Sequence, residues 1–160
     1  MRVLVVAILA SALVASNATE RSSIFPPFTP ERNRYAHRLV TEQFEILQSL
    51  QQIPAVLKTY YKIVPRRDIA VGSQAFAETD VSDGRSKRFD FAGHGFGLWF
   101  IVYEVGGRAY HYSIIFFERS GSSWHRVAAA AGFPERGDFP SVVRAVKKGR
   151  FDEMSDDLNL

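Results

Sequence analysis

The sequence predicts an α+β fold: a long N-terminal amphipathic helix packed on a curled antiparallel β-meander, followed by a short C-terminal helix. Two patterns lead to this class. Apolar residues recur at helical spacing over residues 30–52, and two apolar segments, 98–105 and 108–118, flank a glycine pair in the manner of a hairpin. A length of 160 residues fits a single domain of this kind.

The long helix is the clearest element of the sequence. Thr29-Pro30-Glu31 has the pattern of a helix start, with threonine as N-cap and proline in the first turn. From there to Gln52, one half of a helical wheel collects the apolar residues Ala36, Leu39, Val40, Phe44, Ile46, Leu47, Leu50 and Ile53. A stripe this wide predicts one buried face. Pro54 interrupts the helix and opens a second one, since proline is tolerated only in a first turn.

Three segments predict the meander. Residues 98–105 and 108–118 are joined by Gly106-Gly107, which supplies the positive φ that a two-residue hairpin turn demands. Residues 123–131 form a third strand after a turn that begins at Ser120-Gly121. The sheet therefore runs antiparallel through consecutive strands.

Two shorter signals complete the fold prediction. Gly93, Gly95 and Gly97 lie within five residues, which predicts a bulge, a sharp bend or a close backbone approach rather than a nucleotide-binding loop. Asp138 is placed to cap a last helix, which Gly149 ends.

A long amphipathic helix on a curling antiparallel sheet resembles the general shape of cystatin-like and NTF2-like domains. The resemblance is one of architecture, because the cystatin signature loop Gln-x-Val-x-Gly is absent. It implies a fold and no particular function.

The termini predict an exported protein. Residues 1–18 combine a positive start, an uncharged apolar run and small residues before Thr19, which is typical of a cleavable signal peptide. We expect an extended leader over 19–30, the single domain over 31–151 and an acidic tail over 152–160. The product would be secreted or periplasmic, with no later stretch long and apolar enough to span a membrane.

Composition excludes several functions. The chain has no cysteine, which removes disulfides, thiol catalysis and thiolate metal sites. Its basic residues are scattered and form no recognition helix or aromatic-basic motif, so we do not expect nucleic-acid binding. No spacing of ligand-type residues predicts a metal or a cofactor, and no nucleophile motif assigns a catalytic residue.

The predicted register places one candidate site on the sheet. The two-residue turn sets Tyr103 opposite Tyr110, which puts a large aromatic face under the long helix. The other face collects the polar side chains Glu104, His111, Ser113 and Arg126. If the sheet curls, these groups converge on apolar walls, as in a small-ligand site. The alternative is a solvated sheet face with an isolated Glu–His pair.

A second candidate surface consists of aromatic residues in excess of what the core requires: Phe96, Phe100, Phe117 and Trp124. Exposed aromatic residues are typical anchors of protein interfaces, although the C-terminal helix is an alternative cover for them. The sequence therefore favours an exported, non-enzymatic domain that binds a partner protein, like inhibitor and immunity proteins. The alternative is a small-ligand-binding or small acid–base enzyme domain with a pocket around Glu104 and His111.

Overall fold

A computed structural model describes residues 25–60, 69–71, 87–107 and 110–154. The expected signal peptide, the first part of the leader and most of the acidic tail lie outside these residues. The described elements are, in chain order, α1 Arg34–Thr41, β1 Glu45–Leu47, a 3-10 helix Leu50–Gln52, α2 Ala55–Tyr60, β2 Ile69–Val71, β3 Lys87–Gly95, β4 Leu98–Val105, β5 His111–Ser120, β6 Ser123–Gly132, α3 Phe139–Lys147 and β7 Phe151–Glu153.

The sheet confirms the α+β class and the antiparallel meander. Six strands pair antiparallel in the order β1-β3-β4-β5-β6-β7, and β2 pairs with β3 in parallel. The strands β3 to β6 follow one another as neighbours, so short connections join them. Their alternating side chains supply two apolar cores, one on each face of the sheet.

The two cores have different covers. The first core is packed between the sheet and the helices α1 and α3, with Leu39, Phe100 and Val142 among its fully buried residues. The second core lies on the opposite face of the sheet. There it contains Leu50 of the segment between β1 and α2, and Leu57 of α2 itself. Both faces of the sheet are therefore apolar, which explains why nearly half of the chain is apolar.

The long helix expected over residues 30–52 was wrong in extent. Helix α1 begins after Asn33, whose side chain accepts hydrogen bonds from the backbone N–H groups of Tyr35 and Ala36, and it is capped at Glu42. Beyond it, the chain becomes the edge strand β1, which pairs Ile46 with Gly93.

The edge position explains the misleading apolar pattern. Ile46 packs against the first core and Leu47 is buried in the second, because successive residues of a strand point to opposite faces. Ile46 and Leu47 thus pack in different cores, whereas a continued helix would place both on one apolar stripe. The chain just before β1 lies close to β3, and Gly95 permits this approach, since a Cβ there would lie 2.7 Å from the carbonyl oxygen of Gln43.

The predicted register of the β4–β5 hairpin was also wrong. Tyr103 pairs with Ser113 instead of Tyr110, and Val105 pairs with His111. The connection is therefore longer than the glycine pair. A shift by three residues is odd, so it turns every side chain of β5 to the other face relative to β4.

Residues 25–30 and the strand β7 are packed more closely than expected. Phe28 is fully buried against Phe116, and its N–H donates to the carbonyl oxygen of Phe151 at 2.7 Å. Pro27 forms a bridge with Asp152, which belongs to β7. Residues 25–30 of the expected leader and the first two residues of the expected tail thus belong to the folded domain, because an apolar ring and a strand ladder hold them.

The C-terminal helix is confirmed. Asp138 is the N-cap of α3, and its Oδ1 accepts the N–H of Ser141 at 2.7 Å. Val142 and Val146 are buried in the first core. Gly149 follows the helix with a φ of 62°, a left-handed conformation that glycine adopts without strain.

Candidate functional site

The observed register divides the expected polar pocket between the two faces of the sheet. Glu104 pairs with Tyr112, a residue of the first core. His111 and Ser113 pair with Val105 and Tyr103, which belong to the second core. Arg126 pairs with Phe117 and lies on this second face as well. Glu104 and His111 therefore lie on opposite faces of the sheet.

The three residues on the second face have a mainly structural setting. Ser113 is fully buried opposite Tyr103. Burial raises the pKa of Tyr103 to about 12, and the Ser113 hydroxyl and the Arg126 charge offset part of that rise. A phenol with this pKa stays protonated at neutral pH. Tyr103 therefore does not act as a proton donor or acceptor near pH 7.

Glu104 is instead the centre of a polar cluster on the first face. We call it the Glu104 cluster, and it consists of Arg88, Asp90, Glu104, Tyr110 and Tyr112. Glu104 is only 4% exposed, and the Tyr112 hydroxyl donates to its Oε1 at 2.7 Å. Arg88, its partner on β3, forms an ion pair with Oε2. The Tyr110 hydroxyl lies 3.3 Å from that of Tyr112 and extends the chain of hydrogen bonds towards the surface.

The tyrosines act as hydrogen-bond donors in this cluster. Burial raises the pKa of Tyr112 far above its usual value, and the neighbouring Tyr110 and Glu104 raise it further. Tyr112 is therefore protonated throughout the physiological range. A charged carboxylate that accepts from a phenol and pairs with a guanidinium is the form in which a buried glutamate is stable.

Asp90 is the member of the cluster that sequence reasoning missed. It lies at an irregularity of β3, where the ladder to β4 shifts between Phe89 and Phe91. Its Oδ2 is buried and accepts no hydrogen bond from the described residues. Burial raises the pKa of Asp90 to about 7, and the negative charge of Glu104 adds to the rise, while Arg88 opposes it.

Asp90 and Glu104 thus place two carboxyl groups of different character in one site. Glu104 is held by a phenol and a guanidinium, whereas Asp90 takes up and releases a proton near neutral pH. Pairs of carboxyl groups in unlike environments are the usual means of combining an acid with a base. No local pattern predicts this arrangement, since Asp90 occupies an ordinary polar position in an alternating strand and the irregularity of β3 turns it towards Glu104.

The four aromatic candidates have different fates. Phe100 and Phe117 are fully buried, one in each core, and Trp124 is partly buried against the second core. Phe96 is 77% exposed. Of the proposed anchors, Phe96 therefore has the greatest freedom to contact another molecule.

Phe96 lies at the tip of the β3–β4 hairpin in an unusual conformation. Gly95 pairs with Leu98, so Phe96 and Gly97 form a two-residue turn with φ angles of 49° and 77°. Asparagine, aspartate or glycine is the usual residue in such a turn, and a phenylalanine there is strained. The three closely spaced glycines thus mark the sharp bend and close approach that the sequence predicted.

An ion-pair network fixes this tip to helix α1. Arg38 donates to the Phe96 carbonyl oxygen at 3.0 Å, and it binds Glu42 at 2.7 Å and Glu118 at 2.9 Å. Tyr35 also donates to Glu118, at 3.1 Å. Three elements therefore meet at the base of the hairpin tip, and the backbone that carries Phe96 is held from one side.

These features define an α+β domain with a buried polar cluster at one end of its central hairpin and an exposed aromatic tip at the other. No protein-family model matches the chain, and no curated protein or solved structure matches it significantly. Among the described residues, none of the helices has the length and apolar character needed to cross a membrane.

Proposed function

We propose that the chain is an exported, non-enzymatic domain that binds a partner protein, with Phe96 as the central anchor of the interface. The observation that carries this proposal is the exposure of a large aromatic ring on a strained turn. A solvent-exposed phenylalanine contributes little to folding, and a positive φ at a non-glycine residue costs about 1 kcal/mol or more. Neither folding nor turn conformation favours phenylalanine at this position, so we infer that the ring serves in binding.

The surroundings of Phe96 suit a binding tip. Arg38 and Glu118 fix the backbone, so little conformational freedom is lost when the ring enters a pocket of a partner. Arg34, whose side chain is 70% exposed, pairs with Glu118 beside the tip. An aromatic anchor surrounded by charged groups has the usual composition of an interface centre and its rim.

Binding is tested with matched aromatic variants. The chain from Thr19 to Leu160 is immobilised, exposed to extracts of the source organism and its neighbours, washed in moderate salt and read by mass spectrometry. Phe96→Asn removes the ring and keeps a residue that accepts the turn, whereas Phe133→Ala removes another exposed ring, 46% exposed, from a different loop. We expect one protein to be retained by the wild type and Phe133→Ala and lost with Phe96→Asn. Equal retention by both variants would refute Phe96 as the anchor.

The export part of the proposal rests on residues 1–18. We propose that cleavage after Ala18 releases the domain into the periplasm or the exterior of the cell. The N-terminal sequence of the chain recovered from these fractions tests this directly. A chain that begins at Thr19 supports export, and an intact Met1 in the cell interior contradicts it.

A second candidate function is small-ligand binding or acid–base chemistry at the Glu104 cluster. The observation in its favour is that Asp90 lies near Glu104 in one buried cluster, whereas His111 lies on the opposite face of the sheet. The test is a ligand screen by thermal shift with Glu104→Gln and Asp90→Asn, and with His111→Ala as the control on the opposite face. A ligand whose effect survives both carboxyl variants would not bind at this cluster.

A further inference from the structure

We propose that Asp90 and Gly137 form a pH-sensitive latch between the sheet and the loop of residues 133–138, closed while Asp90 is protonated and released when it ionises. This inference does not depend on the proposed partner binding. It assigns a role to Asp90, whose buried Oδ2 accepts no hydrogen bond from the described residues.

The latch rests on a close approach. A Cβ at Gly137 would lie 3.0 Å from Oδ2 of Asp90 and 3.2 Å from the hydroxyl oxygen of Tyr112. The loop backbone therefore packs against the two polar groups, and the absence of a side chain at Gly137 permits it. Because Oδ2 is also inaccessible to solvent, the loop covers the carboxyl group that titrates.

The charged and titratable groups around Asp90 come from three strands and from the loop. Glu104 on β4 repels the ionised form, and Arg88 on β3 attracts it. Tyr110 and Tyr112 face the cluster from the start of β5, and their hydroxyls form a chain that ends on Glu104. From the loop side, the neighbouring charges are Arg136 and Asp138, but Asp138 is engaged with the N–H of Ser141. Arg88 is the described cation that opposes the repulsion, and it already forms an ion pair with Glu104.

Ionisation of Asp90 therefore leaves a charge that the closed site solvates poorly. The strands below it are held by the hydrogen-bonded ladder of the sheet. The loop is the side that yields, because no hydrogen bond joins it to Oδ2 of Asp90 and because Phe133, Glu135 and Arg136 are exposed. Opening of the loop admits water to the carboxylate and to Tyr112.

The pKa of Asp90, raised to about 7, places this transition in the physiological range. In an opened site, the carboxyl group regains a pKa near its usual value of 3.8. Linkage between the two states then predicts that the opening equilibrium constant increases roughly tenfold between pH 6 and pH 8. The direction follows from the sign of the shift: the closed form retains the proton and is favoured at low pH.

Hydrogen exchange measures this opening. Amide exchange of the full chain is followed by mass spectrometry at pH 5 to 8 and corrected for the intrinsic pH dependence of exchange. We expect protection of residues 133–138 to fall roughly tenfold between pH 6 and pH 8 while that of β4 and β5 stays constant. Protection of the loop that does not change with pH would overturn the proposal.

Three variants assign the effect. Asp90→Asn should keep the loop protected at every pH, whereas Asp152→Asn, a carboxyl change in β7, should retain the wild-type dependence. Gly137→Ala should open the loop at low pH as well, since its Cβ would crowd Asp90 and Tyr112. The same pH dependence in Asp90→Asn as in the wild type would assign the opening to another group and refute the latch. Should Asp90→Asn not fold, a ¹³C titration of the Asp90 carboxyl in the wild type decides, because loop protection must follow its ionisation.

Discussion

The burial of Phe28 leads to a prediction that separates the observed fold from the fold expected from sequence. The sequence assigns this residue to an extended leader, whereas in the structure its ring is fully buried, 5.5 Å from the ring of Phe116 between centroids. Removing a buried phenylalanine side chain costs about 3–5 kcal/mol, from lost burial and from the cavity left behind. Phe28→Ala should therefore lower the free energy of unfolding by about that amount.

Urea denaturation followed by circular dichroism measures this change, with Phe25→Ala as the matched control. Phe25 is three residues earlier and 40% exposed, so its truncation should cost well under half as much. The backbone N–H of residue 28 still donates to Phe151 in the alanine variant, so the comparison isolates the ring. If the two variants have equal midpoints, residues 25–30 are a leader and the packing of Phe28 is not part of the stable fold.

Three further substitutions test other parts of the structure. The difference in stability between Asp90→Asn and the wild type should depend on pH. The wild-type carboxyl has a pKa of about 7 in the folded state and 3.8 ordinarily, so the wild type loses stability as the pH rises from about 4 to 7. Asparagine does not titrate, so the free energy of unfolding measured in urea should shift in its favour by about 2–4 kcal/mol between pH 4 and pH 8, the lower figure allowing for solvent screening of a partly exposed carboxyl; a difference independent of pH would disprove the burial of this carboxyl. Gly93→Ala should destabilise by about 1–3 kcal/mol, because its Cβ would lie 2.3 Å from Cζ of the buried Phe100; an unchanged thermal midpoint would contradict this packing. Asp138→Ala should cost about 1 kcal/mol by loss of the cap on the Ser141 N–H, and stability equal to the wild type would show that the cap is unimportant.

The parts of the fold that sequence predicted well are those with local causes. Asp138 and Gly149 bound the C-terminal helix through hydrogen bonding and backbone conformation of the residues themselves. The strands β4 and β5 are rich in aromatic and β-branched residues, which favour strands, and β6 follows the turn that Ser120-Gly121 indicates. These signals do not depend on which part of the chain packs against them.

The long helix was wrong because its apolar stripe has a non-local explanation. Phe44 and Ile46 pack on one core and Leu47 lies in the other. Only the presence of an open edge on β3 and of a second core makes an edge strand preferable to a continued helix. Helical spacing over this stretch was therefore real but did not determine the structure.

The candidate site was half predictable for a similar reason. Glu104 stands out in an apolar strand, and it is indeed the centre of a polar cluster. Its partner depends on the register of the β4–β5 hairpin. Gly106-Gly107 predicted a two-residue turn, but the connection is longer, so the prediction of His111 as the partner was wrong and Tyr112 takes that place. Asp90 joins through an irregularity in β3 that no local signal marks.

The two candidate surfaces can be tested separately because the sheet keeps them apart. Phe96 precedes β4 and Glu104 lies near its end, with Leu98 and Glu104 separated by six residue steps along one strand. At about 3.3 Å a residue, this places the aromatic tip and the polar cluster about 20 Å apart. Substitutions at such a distance, without shared partners, act additively. A loss of binding in Phe96→Asn that Glu104→Gln leaves unchanged would therefore assign partner recognition to the tip alone, whereas non-additive effects of the two would mean that β4 transmits a change between its ends.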